Sequence, residues 1–335
     1  MPVKHWSFAG LLLTDGCNAA CASCYLCCGP ENARWMSAAD ALAFWRQLAE
    51  ASPHGCRVHL TGGEPFGDWP LLLEVCRRAG EQGVMARAPL DKVETNAFWA
   101  TGAAIVRDRL RALDARGMQR FAISADPYHQ QFVPIERCRL AARVAEELLG
   151  ADRVQVRWRS WLDHGHDTAH LPADRRAALF AAYAAGGADR LAGRAAAEIA
   201  PLLSPKPADH YADMPCRSVL LRGRHVHVWP DGAVMPGVCA GILLGRARAE
   251  GGGPAMADLW RRLDEEHEAR PVVSALARGG PVELLPAAEK SGYRRREGYA
   301  GKCHLCWELR AFLHKAGLHH DELGPARAYA AAATR

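Results

Sequence analysis

Five of the 12 cysteines fall between Cys17 and Cys28, and three of them, Cys17, Cys21 and Cys24, stand in a Cys-x3-Cys-x2-Cys spacing. Thiolates three and four residues apart converge on one metal site from a tight loop, and soft sulfur ligands select iron–sulfur clusters or zinc. Three ligands on a four-iron cluster leave one iron free, the open position that metal chemistry requires. On the residues alone, the other reading is a chance cluster of buried thiols. A disulfide framework fits poorly. Such frameworks belong to small secreted domains without a core, whereas this chain has 335 residues, 49% of them hydrophobic.

A second set, Cys216, Cys239, Cys303 and Cys306, lies far along the chain as Cys216-x15-Gly232-x6-Cys239 and Cys303-x2-Cys306. Two ligands from a hairpin and two from a helix start would close a four-thiolate site, which by spacing alone is equally a structural zinc. Cys27 and Cys28 are surplus to the first motif. Either could position a substrate or donate a hydrogen atom, and inert buried thiols are the other reading. Cys56, Cys76 and Cys138 fall on or beside expected helices as packing residues. His129 is the preferred acid/base residue, on a loop after Ser124-Ala125-Asp126. His164, His166 and His170 read as a solvated polar loop, with a metal site as the lesser alternative. His225 and His227 alternate on one face of a strand.

These residues must be positioned by a regular strand–helix alternation. Strands are predicted at Ser7–Thr14, Arg57–Thr61, Asp91–Thr95, Arg120–Ser124 and Arg153–Trp161, with helices at Ser37–Ala51, Trp69–Gln82, Gly102–Arg116 and Pro134–Leu149. Such alternation means a parallel sheet, open or closed into a barrel. The first cysteine loop then sits after the first strand, on the face where α/β active sites collect. From Leu171 to Ala200 the chain is Ala-rich and helical in period, and prolines mark a linker up to Cys216, with no clean sixth strand before it. Short antiparallel strands come next at Ser218–Arg222, His225–Trp229 and Ala233–Met235, read as a separate small module. Helices near Met256–Ala269 and from Cys303 complete it. The division is 1–200, 201–323 and a frayed Ala-rich tail at 324–335.

Composition removes other classes. The 42 Lys+Arg against 37 Asp+Glu give a net charge of +5, and the densest basic cluster, Arg294-Arg295-Arg296, is followed by Glu297. Nucleic acid is not the expected partner. No window of 18 apolar residues suggests a membrane span, and the short apolar run Phe8–Leu13 is no signal peptide. The expected location is the cytoplasm.

At the end of the second strand stands Thr61-Gly62-Gly63-Glu64-Pro65. Two glycines let backbone approach closely, and the carboxylate accepts hydrogen bonds from an ammonium group, although a bland strand-to-helix turn has the same composition. Together with the cysteine loop, the order and context of the two motifs resemble the radical S-adenosylmethionine (radical SAM) superfamily. The resemblance implies a partial (β/α) barrel over about residues 7–200. It implies that Cys17, Cys21 and Cys24 ligate a [4Fe-4S] cluster with an open iron, and that SAM chelates that iron. Gly62, Gly63, Glu64 and Pro65 would hold the methionine end of SAM. Thr95-Asn96-Ala97 is similar to the family's Thr-Asn-Gly, and Ser124-Ala125-Asp126 to its Ser-x-Asp, so Asn96, Ser124 and Asp126 would contact the cofactor. Arg157 or Arg159 could pair with the SAM carboxylate. Ser23, before the third cysteine, departs from the aromatic residue common there. The C-terminal segment, with Val-Trp-Pro-Asp-Gly-Ala-Val-Met-Pro at 228–236, resembles the twitch or SPASM extension that carries an auxiliary [4Fe-4S] cluster on Cys216, Cys239, Cys303 and Cys306.

The resemblance further implies an enzyme that cleaves SAM to a 5′-deoxyadenosyl radical and abstracts hydrogen from a substrate, with a flavodoxin or ferredoxin as reducing partner. With the first strand expected to begin by Ser7, the N-terminal recognition domain of many peptide-modifying members is not expected. The expectation leans to a small molecule. A ribosomal peptide or protein side chain is the alternative, and a non-catalytic electron-transfer or structural protein the second. Cys28 joins His129 as an expected catalytic residue.

Overall fold

In the computed structural model, residues 3–31, 34–187, 189–249 and 253–332 are described. Strands β1 (Phe8–Thr14), β2 (Arg57–Gly62), β3 (Leu90–Thr95), β4 (Arg120–Ile123) and β5 (Val154–Val156) alternate with helices α1 (Ala38–Ala51), α2 (Trp69–Glu81), α3 (Ala103–Asp114) and α4 (Ile135–Leu149). All five strands pair in parallel, as short helical crossovers dictate. The helices start where the sequence provides caps: Ser37 Oγ accepts from Asp40 N at 3.0 Å, and Asp68 Oδ1 from Leu71 N at 2.9 Å.

Strand β5 is shorter than predicted. It ends at Val156, and the chain turns into helix α5 (Arg159–His164), where Trp161 and Leu162 are buried. Trp158, Trp161 and Leu162 keep helical spacing, which outweighs the alternation of Val154-Gln155-Val156. Arg159 therefore lies on a helix, not a strand. Helices α6 (Ala173–Ala185) and α7 (Arg194–Glu198) fill the Ala-rich stretch.

A second correction concerns Ser218–Arg222. The segment is a short helix, α8 (Arg217–Leu220), because Leu220 and Leu221 are both buried, a pairing that strand alternation would split. The next hairpin, β6 (His225–Val228) and β7 (Ala233–Pro236), does not stand apart. β6 pairs in parallel with β1, and β7 and β8 (Gly245–Arg246) extend the sheet antiparallel. The sheet is eight-stranded, mostly parallel and open, in the order β5-β4-β3-β2-β1-β6-β7-β8. It runs across residue 200, where the sequence suggests a boundary, and the sixth parallel strand comes after the linker instead of preceding it.

Helices α9 (Met256–Glu266), α10 (Pro271–Arg278), α11 (Leu285–Lys290) and α12 (Lys302–Lys315) complete the chain. The tail from Gly324 is not frayed through 332. It forms a 3-10 turn, with Ala328 and Tyr329 buried, while residues 333–335 lie outside the described residues.

Alternation fixes what each sheet face carries. Leu11, Leu13, Val58, Leu60, Val93, Phe121, Val226 and Val228 are buried in the main apolar core. The opposite face carries Gly10, His59, Thr61, Lys92, Glu94, Ser124, His225 and His227. That polar inner face is the floor of the candidate site.

Candidate active site and cysteine centres

The cysteine loop leaves β1 where the β1–β2 register shifts between Leu12 and Thr14, a local irregularity of the kind that re-aims a strand end. Backbone hydrogen bonds then tie it down: Cys17 N donates to Gly29 O at 3.1 Å and Cys24 N to Cys21 O at 3.0 Å. The loop after β2 closes against it, with Gly63 N on Thr14 O at 2.8 Å and Glu64 N on Gly16 O at 2.9 Å. This approach needs glycine. A Cβ on Gly63 would lie 1.8 Å from Gly16 O, and Gly62 adopts φ +134° with a Cβ position 2.3 Å from Thr14 O.

One cavity gathers most of the expected residues. Cys17, Cys21, Cys24, Cys28, Gly62, Gly63, Asn96, Ser124, His129 and Arg157 line it, at the C-terminal ends of the parallel strands. Thr61, Glu94, Tyr25 and His227 line it as well. A second cavity, lined by Lys92, Glu94, Ser124, Gln155, Arg157 and Arg159, shares Glu94, Ser124 and Arg157 with the first. Arg159 belongs only to this second space and pairs with Glu146.

Glu64, Pro65 and Asp126 stand behind the wall. The Glu64 carboxylate accepts from Asn96 N at 2.7 Å, Thr95 Oγ1 at 2.9 Å and Phe66 N at 3.1 Å. Burial nevertheless pushes it up to about 7. Pro65 begins the 3-10 turn after it and is buried. Ala97, in the position where the resembled family has glycine, adopts φ +64°. Asp126 is fully buried, and its carboxylate accepts from Tyr128 N and His129 N at 3.0 Å and meets His129 Nδ1 at 2.8 Å. Arg157 Nε lies 3.3 Å away. Burial pushes Asp126 up, but the His129 and Arg157 charges outweigh it and hold it down. Burial likewise opposes charge on His129, and the Asp126 and Cys21 partners override it, raising the imidazole well above its usual value. Asp126 thus orients His129 and Arg157 toward the cavity.

Cys28 bonds to Cys24. Its thiol hydrogen bond is the main cause holding Cys24 below the usual thiol range, with Arg194 assisting after burial, which acts the other way. Arg194 has no counterpart among the residues the sequence marks. Its Nε donates to Cys21 O at 3.0 Å, and it also binds Cys28 O, from more than 160 residues away in sequence. No local pattern announces such a residue.

The second cysteine set also comes together. Cys216 caps α8, Cys239 comes after β7, and Cys303 and Cys306 lie on the first turns of α12; all four line one small, mainly apolar cavity. Arg310, only 2% exposed, donates to Cys306 Sγ at 3.3 Å, Ala240 O at 3.0 Å and Tyr329 Oη at 2.9 Å. A buried guanidinium whose partners include no carboxylate marks this as a place for thiolate charge. His164, at the end of α5, and His166 and His170 on the loop after it are exposed.

On the inner face below the first cavity, His59, His225 and His227 are packed together. Burial pushes His59 down to about 4 and His225 to about 3, and His227 falls well below its usual value. Lys92 and Glu94 face them with opposing effects. The unfolded chain takes up protons near pH 6.5 and the folded one does not, so stability is full above that pH and falls as pH drops toward 4. For His59 alone the shift is worth about 3 kcal/mol. Replacing His59 by phenylalanine is expected to flatten this acid limb in unfolding midpoints measured from pH 6.5 to 4.5; an unchanged limb would contradict it.

No family model matches the chain, and no curated protein does. The chain is similar to solved structures, among them BtrN in complex with AdoMet and 2-DOIA, at 18% identity over 80% of this chain and 90% of that one, with a TM-score of 0.45. Native anSMEcpe with bound AdoMet matches at 11% identity over 92% and 97%, TM-score 0.46. Streptococcus suis SuiB bound to precursor peptide SuiA matches at 11% identity over 90% and 76%, TM-score 0.36. Values this low add nothing to a functional reading, which rests on the chain's own residues.

Proposed function

We propose that the chain is a radical SAM enzyme with an auxiliary iron–sulfur centre. The observation that carries this is the convergence on one cavity of Cys17, Cys21 and Cys24 with the Gly62-Gly63 backbone, Asn96, Ser124, His129 and Arg157. The donor set fits a cluster. Three thiols at a strand end, with Asn96 Nδ2 3.7 Å from Cys17 Sγ and Arg194 beside Cys24, supply ligands and counter-charge. Cys17, Cys21 and Cys24 would hold a cluster whose chemistry would be one-electron reductive cleavage of SAM, leading to hydrogen abstraction from a substrate.

The chain's own residues bind and orient. Gly62 and Gly63 offer backbone to the amino group of SAM, while Glu64 acts at one remove, by holding Asn96 and Thr95. Arg157, braced by Asp126 and Asp189, is suited to the SAM carboxylate. His129 is held on Asp126 as an acid/base group. Cys28 is a positioning residue through its hydrogen bond to Cys24. The second cysteine set, all of it within residues 201–323, holds the auxiliary cluster, and the first motif lies within 1–200 on the same continuous sheet. Iron–sulfur is favoured over zinc because the segment at 228–236, with Cys303-x2-Cys306 after it, resembles the extension that carries an auxiliary cluster. A flavodoxin or ferredoxin is the one-electron donor. The adjoining space, with Lys92, Glu94, Gln155 and Arg157, suits a small polar substrate that carries both donors and acceptors.

Anaerobic reconstitution with dithionite and SAM is expected to yield 5′-deoxyadenosine; none, with or without candidate substrates, refutes the enzyme reading. Gly63→Ala is expected to abolish that product by forcing the two loops apart. Gly80→Ala, where a Cβ meets nothing within 4 Å, is the matched control. Equal yields from both variants would remove the glycine argument.

A further inference from the structure

We propose that His59, His225 and His227 form a binding site for a divalent first-row transition ion on the inner face of the sheet, with an open coordination position turned toward the cysteine-lined cavity. One ligand atom from each imidazole lies within 4.8 Å of the other two, and among the described residues this is the group of three His, Cys, Asp or Glu side chains with that spacing.

The register builds the cluster. Gly10 of β1 is paired with His59 of β2 on one side and His227 of β6 on the other, and Phe8 is paired with His225. Glycine at position 10 is required: a Cβ there would lie 2.4 Å from His227 Cδ2 and 2.5 Å from His59 Nε2. The strand between the two ligand strands thus leaves its own side-chain space to their rings.

Unmet valence points to a ligand. His59 is 1% exposed, and its Nδ1 has no hydrogen-bond partner; the same holds for the buried Nε2 of His225. Buried polar nitrogens without partners are uncommon and costly, and a cation is what paired imidazole lone pairs would satisfy. Imidazole suits zinc, iron, copper and nickel. At metal–nitrogen distances of about 2.0–2.1 Å the ligand atoms must stand roughly 3.0–3.5 Å apart, so from within 4.8 Å of one another the rings close by at most about 1.3–1.8 Å. Rotation about the soft Cβ–Cγ bonds provides that.

The surroundings give the site a direction. Phe8 covers it on the side away from the cavity, with ring centroids 4.7 Å from His59 and 4.6 Å from His225. Toward the cavity stand His227 and Glu94, both of which line it, and Glu94 Oε1 is 3.9 Å from His59 Nε2. Lys92, on this face, has its charge met by Glu94 at 2.7 Å. The open position would take an oxygen donor of the substrate, a hydroxyl or carboxylate, and fix its orientation. This inference stands whether or not the cysteines hold an iron–sulfur cluster.

The test uses the full chain, loaded anaerobically with iron and sulfide and then given one equivalent of zinc. Zinc K-edge absorption is expected to show a nitrogen and oxygen shell at about 2.0–2.1 Å and no sulfur at about 2.3 Å. His59→Phe and His225→Phe are each expected to weaken zinc binding more than about tenfold in competition with a chromophoric chelator. Iron content should not change. The proposal is overturned if the wild-type chain retains no zinc, if the shell is sulfur, or if both variants bind zinc as the wild type does. Should a variant lose its iron or its fold, the wild-type absorption spectrum decides.

Discussion

Replacing Cys17, Cys21 and Cys24 together by alanine is expected to abolish 5′-deoxyadenosine formation and to lower iron from about eight to about four per chain, leaving the signal of the second centre. The effect is complete because Gly62, Gly63 and Arg157 would bind and orient SAM but carry no electron, which the cluster alone would supply. The partition tests the assignment as well. The three cysteines lie on a loop fixed by β1 and by Arg194, while the other four are held by α8, the β7 turn and α12. Loss of all iron would mean that the seven ligands are wrongly divided. Retention of eight would refute Cys17, Cys21 and Cys24 as cluster ligands.

Local chemistry makes much of this legible in the sequence. The motifs at Cys17–Cys24 and Gly62–Pro65 are readable because each sits within one loop, and the need for glycine at position 63 is explained by a Cβ position only 1.8 Å from Gly16 O. The first four strands and helices are readable because their periods of 2 and 3.6 are clean and their caps are in place. Failures come where tertiary context decides. Arg153–Trp161 carries both an alternating and a helical pattern, and packing of Trp161 and Leu162 selects the helix. The hairpin at His225–Pro236 reads as self-contained, yet its partner is β1, more than 200 residues earlier. Arg194, Arg310 and the joining of His59 to His225 and His227 are invisible for the same reason. Each acts on residues brought near by the fold alone, and single-sequence spacing holds no trace of it.

The same absence makes Arg310 the sharpest test of the second centre. A guanidinium 2% exposed costs several kcal/mol to bury unless an anion compensates it, and its contacts are a thiol sulfur, a carbonyl and a tyrosine hydroxyl. Neutral thiols would leave that charge unmet, whereas thiolates bound to a cluster satisfy it and are in turn stabilised. Arg310→Met removes the cation and keeps most of the volume. Iron is then expected to fall from about eight to about four per chain, the 5′-deoxyadenosyl chemistry of the first cluster persisting when measured without substrate. Removing one partner of a buried charge pair costs about 3–5 kcal/mol, which corresponds to a loss in cluster affinity of more than about a hundredfold. Arg310→Lys keeps the charge but loses the fork that reaches Ala240 O and Tyr329 Oη, so it should retain part of the auxiliary iron. If Arg310→Met keeps all its iron, thiolate charge is not what the arginine answers. If it loses zinc in place of iron, the four cysteines are a structural zinc site, and the chain has one redox centre only.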